Sequence, residues 1–170
     1  SNASFVTFFP IILAGFIIFV LGITDDLHSL SAIIKLLFQL LAASIVVFTD
    51  HRFKQIGPWE LPTIISYGLT FAWIIGVINA FNLIDGLDGL CGSLSFTTTV
   101  TLGILFYLSG NSEYIICFIL AASILGFLIF NWPPAKLFMG DSGSQFLGFM
   151  IAVIPLFTSN NVFEHNKLLI

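Results

Sequence analysis

LPTIISYGLTFAWIIGVINAFNLIDGLDGL, residues 61–90, opens with 24 positions free of Asp, Glu, Lys and Arg and closes on two aspartates, each followed by glycine. An α-helix needs ~20 apolar residues to cross a bilayer. Outward from this stretch, residues 1–24, 89–112, 114–135 and 142–163 are equally free of charge, and 29–49 is broken only by Lys35. Six such runs leave loops too short for a separate soluble domain. They predict an all-α fold, a polytopic transmembrane helical bundle of about six spans.

Composition points the same way. The 170 residues are 58% hydrophobic and only 8% charged, where about a quarter is usual for soluble domains. That excludes disorder, nucleic-acid binding and an ordinary soluble domain, and makes the lipid bilayer the first partner. Gly22, Gly57-Pro58, Gly86, Gly89, Gly110, Pro133-Pro134 and Gly140 read as loop positions. Ser109 to Glu113 must be a turn, because one helix over 89–135 would run ~70 Å. Ser1-Asn2-Ala3 reads as the scar of a removed tag, and 4–170 as one integral-membrane unit cut from a longer protein at both ends. No basic region precedes the first apolar run, which argues against a cleaved signal peptide.

Successive spans alternate in direction, so the loops after the first, third and fifth share a membrane face. Those loops carry Asp25-Asp26, Asp85 with Asp88, and Asp141, five of the nine acidic residues. Acids at helix ends often do no more than cap helices, but five in three short loops on one face point to a site. Charge does not orient the chain: Lys35 and Lys136 lie on the acidic face, and Arg52, Lys54 and Lys167 on the other.

Each cluster suggests chemistry. Asp25 and Asp26 diverge by about 100° on a helix, so they serve different partners. Lys35 inside an apolar run must snorkel or pair, and such a residue marks a substrate path by default. Asn79, Asn82 and Asp85 fall at steps of three along one helix face. Their carboxamides and carboxylate make an all-oxygen surrounding that suits a hard cation such as Mg²⁺. Asp141 is the expected metal carboxylate. Ser142 with Gln145 fits a capping box opening the sixth helix, whose free N–H groups also suit a phosphate. Cys91 and Cys117 fall at opposite ends of their spans, too far apart for a disulfide, and read as small packing residues.

Three stretches resemble the signature motifs of the polyprenyl-phosphate N-acetylhexosamine-1-phosphate transferases: Leu21 to Asp26, Asn79 to Leu90 and Phe138 to Ser144. This superfamily, of glycosyltransferase family 4 type, includes the translocase making the first lipid intermediate of peptidoglycan. Trp132-Pro133-Pro134-Ala135-Lys136, leading into the third motif, resembles the O-antigen and common-antigen branch. The resemblance implies transfer of a sugar-1-phosphate from a UDP-N-acetylhexosamine, UDP-GlcNAc or a derivative, to undecaprenyl phosphate, with release of UMP. It implies Mg²⁺ as cofactor, with Mn²⁺ as an alternative, and a bacterial inner membrane whose cytoplasmic side carries the motif loops. By motif position, Asp141 and Asn82 would hold the metal. Asp25 or Asp26 would orient or deprotonate the lipid phosphate, and Asp88 stands with them as a catalytic candidate. Lys35 and Ser142 would bind phosphate, and Asn79 and Asp85 would support the metal and nucleotide site. A homodimer is a further expectation. Members have more spans than six and a His-rich cytoplasmic loop, which the isolated His28, His51 and His165 do not replace. The alternatives are a non-catalytic membrane fragment and a cation transporter, whose acids would line an ion path.

Overall fold

The computed structural model describes residues 2–158, with side chains from Phe9 to Leu156. Ser1 and residues 159–170, with Glu164, His165 and Lys167, lie outside the described residues. Six helices follow one another: α1 (Asn2–Leu27), α2 (Ala32–Phe48), α3 (Thr63–Ile84), α4 (Leu90–Leu108), α5 (Tyr114–Asn131) and α6 (Gly140–Thr158). Each grows out of one charge-free run. Between α2 and α3 lies a short antiparallel hairpin, β1 (Gln55–Ile56) and β2 (Trp59–Glu60), with Gln55 opposite Glu60. It turns on Gly57 at φ +57°, which glycine adopts freely. Two-residue strands offer no alternation to read, so Gly57-Pro58 appeared only as a loop.

The expected number of spans is corrected from six to four or five. Four helices are long and apolar enough to cross a membrane: α1 from Phe9, α3, α4 and α5. With 17 residues, α2 rises only ~25 Å, short of a ~30 Å hydrocarbon core. The sixth helix begins on the polar turn Gly140 to Gln145, which shortens its apolar part. Gly22 is corrected too: it lies inside α1 rather than in a loop.

At the centre runs α6. Against it pack α1 and α3, while α2 bridges those two and α4 pairs with α5. Phe149 and Val153 of α6 are fully buried against Ile18 of α1, Val46 of α2, and Ile74 and Ile78 of α3. Bare backbone permits the closest approaches. A Cβ on Gly22 would fall 2.3 Å from Ser142 Cα, and one on Gly148 would fall 2.9 Å from Ile78 Cα. Small residues at such crossings let helices in lipid gain dispersion contact along their whole length. The outer surface is the reverse of a soluble protein's: Phe16 is 61% exposed, Ile33 72%, Ile64 87% and Ile129 73%. A continuous apolar exterior of this kind is sustained by lipid, not water. Cys91 and Cys117 are buried and unbridged, as expected.

Gly148→Leu drives a side chain into the α3 backbone, at about 1–3 kcal/mol for such overpacking. The detergent-solubilised protein should melt several degrees lower, while Gly126→Leu, with open space around its Cβ, should leave the melting temperature unchanged.

Candidate active site at one end of the bundle

Alternating helix directions bring the ends of α1, α3 and α5 beside the starts of α2, α4 and α6. All five aspartates of the motif loops gather at that end. Asp25, 6% exposed, closes the α1–α2 turn by accepting the Leu30 N–H at 2.7 Å. It also pairs with Lys35, whose Nζ reaches Asp141 Oδ2 at 3.0 Å. The lysine in the apolar run therefore pairs rather than snorkels. Of its three donors two are engaged, leaving one for a ligand.

Asp26 points elsewhere, as the 100° divergence requires. Its Oδ1 accepts the Asp141 N–H at 2.7 Å and its Oδ2 the Ser142 N–H at 3.1 Å. The expected capping box at Ser142 is not formed. A carboxylate from α1 reaches both first amides of α6 at once, with the helix dipole in its favour. Those two N–H groups are thereby occupied and not open to a phosphate. Gln145 is drawn inward instead, accepting from Gln39 Nε2 at 3.3 Å. Gly140, at φ +67°, makes room: a Cβ there would lie 2.9 Å from Asp26 Oδ2.

On α3, Asn82 Nδ2 donates to Asp141 Oδ1 at 2.9 Å and to Ser144 Oγ at 3.1 Å. Asn79 Nδ2 donates to Gln39 Oε1 and to the Ile75 carbonyl, both at 2.8 Å. Each asparagine has two donor hydrogens, and in both all are engaged with protein. What each offers a ligand is its carboxamide oxygen. Lys35, Gln39, Asn79 and Asn82 line one side of a cleft of about 420 Å³, with Leu30, Ala32 and Leu36 beside them.

Asp88 stands apart from this centre, its Oδ2 accepting the Ala135 N–H at 3.0 Å. Beside it Asn131 accepts the Gly89 N–H at 3.0 Å and donates to the Leu137 carbonyl at 2.8 Å. These bonds tie the α3–α4 loop to the α5–α6 loop. Asp85 sits at the end of α3. Burial, then the negative charges of Asp141 and Asp26, push its carboxyl up to about 6 against a backbone hydrogen bond from Gly140.

Mg²⁺ fits this donor set. Among the described residues no three His, Cys, Asp or Glu groups converge as a closed cage, but Mg²⁺ characteristically takes one or two carboxylates and completes its shell with water and substrate phosphates. Asp141, the bare oxygens of Asn82 and Asn79, and the surplus negative charge felt by Asp85 are what such an ion requires. Four contributors escaped the sequence reading: Gln39, Gln145, Ser144 and Asn131, all buried. The signal was available for two of them, since Gln39 lies four residues after Lys35 and Gln145 four after Asp141, one helical turn deeper on the same faces.

The molecule is thus a multi-pass helical membrane protein with an oxygen-rich polar site at one end. The sequence profile described as glycosyl transferase family 4 matches residues 8–159, and the chain belongs to that family. It is 44% identical over 154 residues to a probable undecaprenyl-phosphate N-acetylglucosaminyl 1-phosphate transferase of Bacillus subtilis, covering 86% of this chain and 42% of the relative. Identity is 35% over 158 residues to a decaprenyl-phosphate N-acetylglucosaminephosphotransferase of Mycobacterium tuberculosis, covering 84% and 39%. It is 35% over 171 residues to a phospho-N-acetylmuramoyl-pentapeptide-transferase of Thermotoga neapolitana, covering 90% and 54%. The chain spans about half the length, or less, of these relatives.

With a folded value near 6 against an ordinary 3.8, Asp85 holds its proton more tightly in the folded protein. Its protonation therefore stabilises the fold at low pH, and that contribution is lost as pH rises through about 6. A carbon-13 NMR titration of the aspartate carboxyls should place the Asp85 midpoint near 6 and, in Asp141→Asn, below it.

Proposed function

We propose that this chain is the catalytic core of a polyprenyl-phosphate N-acetylhexosamine-1-phosphate transferase of the bacterial inner membrane, working at the cytoplasmic face. The donor is UDP-GlcNAc or a closely related UDP-N-acetylhexosamine, the acceptor undecaprenyl phosphate, and the product the first lipid-linked intermediate of a cell-surface polysaccharide. The observation that carries this reading is Lys35, held between Asp25 and Asp141 beside a cleft with leucines and carboxamides in its lining. An anionic head with an apolar tail matches that cleft: one free ammonium N–H for the phosphate, Leu30 and Leu36 for the chain beyond it. The relatives' names agree on a polyprenyl-phosphate substrate where they state one.

In the reaction a phosphate oxygen of the lipid attacks the β-phosphorus of the UDP-sugar. The bond from that phosphorus to the oxygen bridging the α-phosphate breaks, and UMP leaves with the bridging oxygen. Asp141 and Asn82 hold Mg²⁺, or Mn²⁺ in its place, which neutralises charge on the phosphates in flight. Lys35 fixes the acceptor phosphate. Asp25 orients Lys35, and Asp26 locks α6 so that Asp141 stays aimed at the metal. Asp85 and Asn79 shape the metal and nucleotide side, Ser142 borders the phosphates at the start of α6, and Asp88 holds the loop that faces the sugar nucleotide. Since the polar groups gather at one end of the helices rather than at mid-depth, cation transport is the weaker reading. Pairing of two copies is compatible with this scheme and plays no part in it.

Mg²⁺-dependent exchange of labelled UMP into UDP-GlcNAc, with undecaprenyl phosphate present, tests the proposal. It is measured with this chain, and with the chain joined to the flanking segments its relatives carry. Exchange is expected in the longer form and should fall at least 10²-fold in Asp141→Asn, the scale of losing one electrostatic stabiliser. Lack of exchange with every UDP-N-acetylhexosamine tried would remove the sugar assignment.

A further inference from the structure

One turn beneath the site lies a chain of three carboxamides from three helices, Asn79 of α3, Gln39 of α2 and Gln145 of α6, whose direction is fixed at one end. The Ile75 carbonyl can only accept, so it holds the Asn79 amino group on the helix side. Gln39 must then present its oxygen to the other Asn79 hydrogen, at 2.8 Å, and turn its own amino group to Gln145 Oε1, at 3.3 Å. Gln145 Nε2 ends the chain, buried and without a partner among the described residues. Gln39 and Gln145 are 1% and 0% exposed, and an unmatched amide at that depth is a real expense of stability. The arrangement keeps the Asn79 oxygen, and not its amino group, available at the cleft.

We propose that Gln39 is a positioning residue: by holding the Asn79 amino group it makes α3 present two successive oxygens, those of Asn79 and Asn82, to the cation seated at Asp141. Residues three apart on a helix are neighbours, so both oxygens face the same ion or its water shell. Without Gln39 the Asn79 amide is free to rotate and offer a donor, which repels a cation. The proposal rests on the reading of Asp141 and Asn82 as a divalent-cation site, and its test requires neither substrate.

Mn²⁺ binding to the purified, detergent-solubilised chain is measured by electron paramagnetic resonance. Gln39→Met, of similar volume but with no acceptor, should weaken binding about 3- to 10-fold, the range of one hydrogen bond. Gln39→Glu keeps an acceptor for Asn79 and should stay within about 2-fold of wild type. Asn79→Ala should weaken binding to the same degree as Gln39→Met, and the two together no further than either alone. If Gln39→Met does not accumulate in folded form, Gln39→Asn, whose shorter side chain withdraws the acceptor, serves in its place. Additive losses overturn the proposal, as does wild-type affinity in the variant lacking the acceptor, or a wild-type chain that binds no Mn²⁺. Intact Mn²⁺ coupling beside absent UMP exchange would remove the transferase reading and leave the positioning role standing.

Discussion

An ammonium group inside an apolar helix organises this molecule. Lys35 is unaffordable in lipid unless anions meet it, and the two that do come from opposite ends of the sequence, Asp25 on α1 and Asp141 on α6. Satisfying one cation thus draws three helices to a common point. The same demand separates the adjacent aspartates: with Asp25 taken up by Lys35 and the Leu30 amide, Asp26 is left to terminate α6. Each charge in the centre is explained by another, and little of the cluster is free to rearrange without exposing a charge to hydrocarbon.

The polar network is deeper than the motif loops. Below the charged layer, carboxamides and a hydroxyl carry hydrogen bonds between α2, α3 and α6 at positions one turn from the surface residues. In low dielectric such bonds fix orientation strongly, because the alternative is an unmatched dipole. The site is therefore rigid from beneath, and its exposed oxygens are what remains after every internal donor has found its partner.

Much of this was legible in the sequence. Charge-free runs located all six helices, because a helix in lipid must be apolar around nearly its whole circumference. Loop parity located the site, because antiparallel neighbours put alternate loops together. Asp25, Asp26, Lys35, Asn82 and Asp141 meet at that end, and Asp85 neighbours them, whereas Asp88 serves the adjoining loops. What sequence could not supply was who faces whom across helices. Ser142 and Gln145 satisfied a local capping pattern, yet an acid 116 positions away from Ser142 outcompeted it. Gln39 carried no sign of burial beyond its spacing from Lys35. The span count failed for a different reason: α2 has the composition of a transmembrane helix but not the length, and α6 gives its first turn to the site.

The crossing of α1 and α6 at Gly22 has a consequence for traffic. With backbone set on backbone there, and again at Gly148 against α3, both seams beside the central helix are closed to anything wider than a hydrogen atom. The boundary between α2 and α3 is built differently, with the cleft opening between leucines and carboxamides. A molecule dissolved in the surrounding lipid meets two sealed walls and one doorway, and the doorway leads to Lys35.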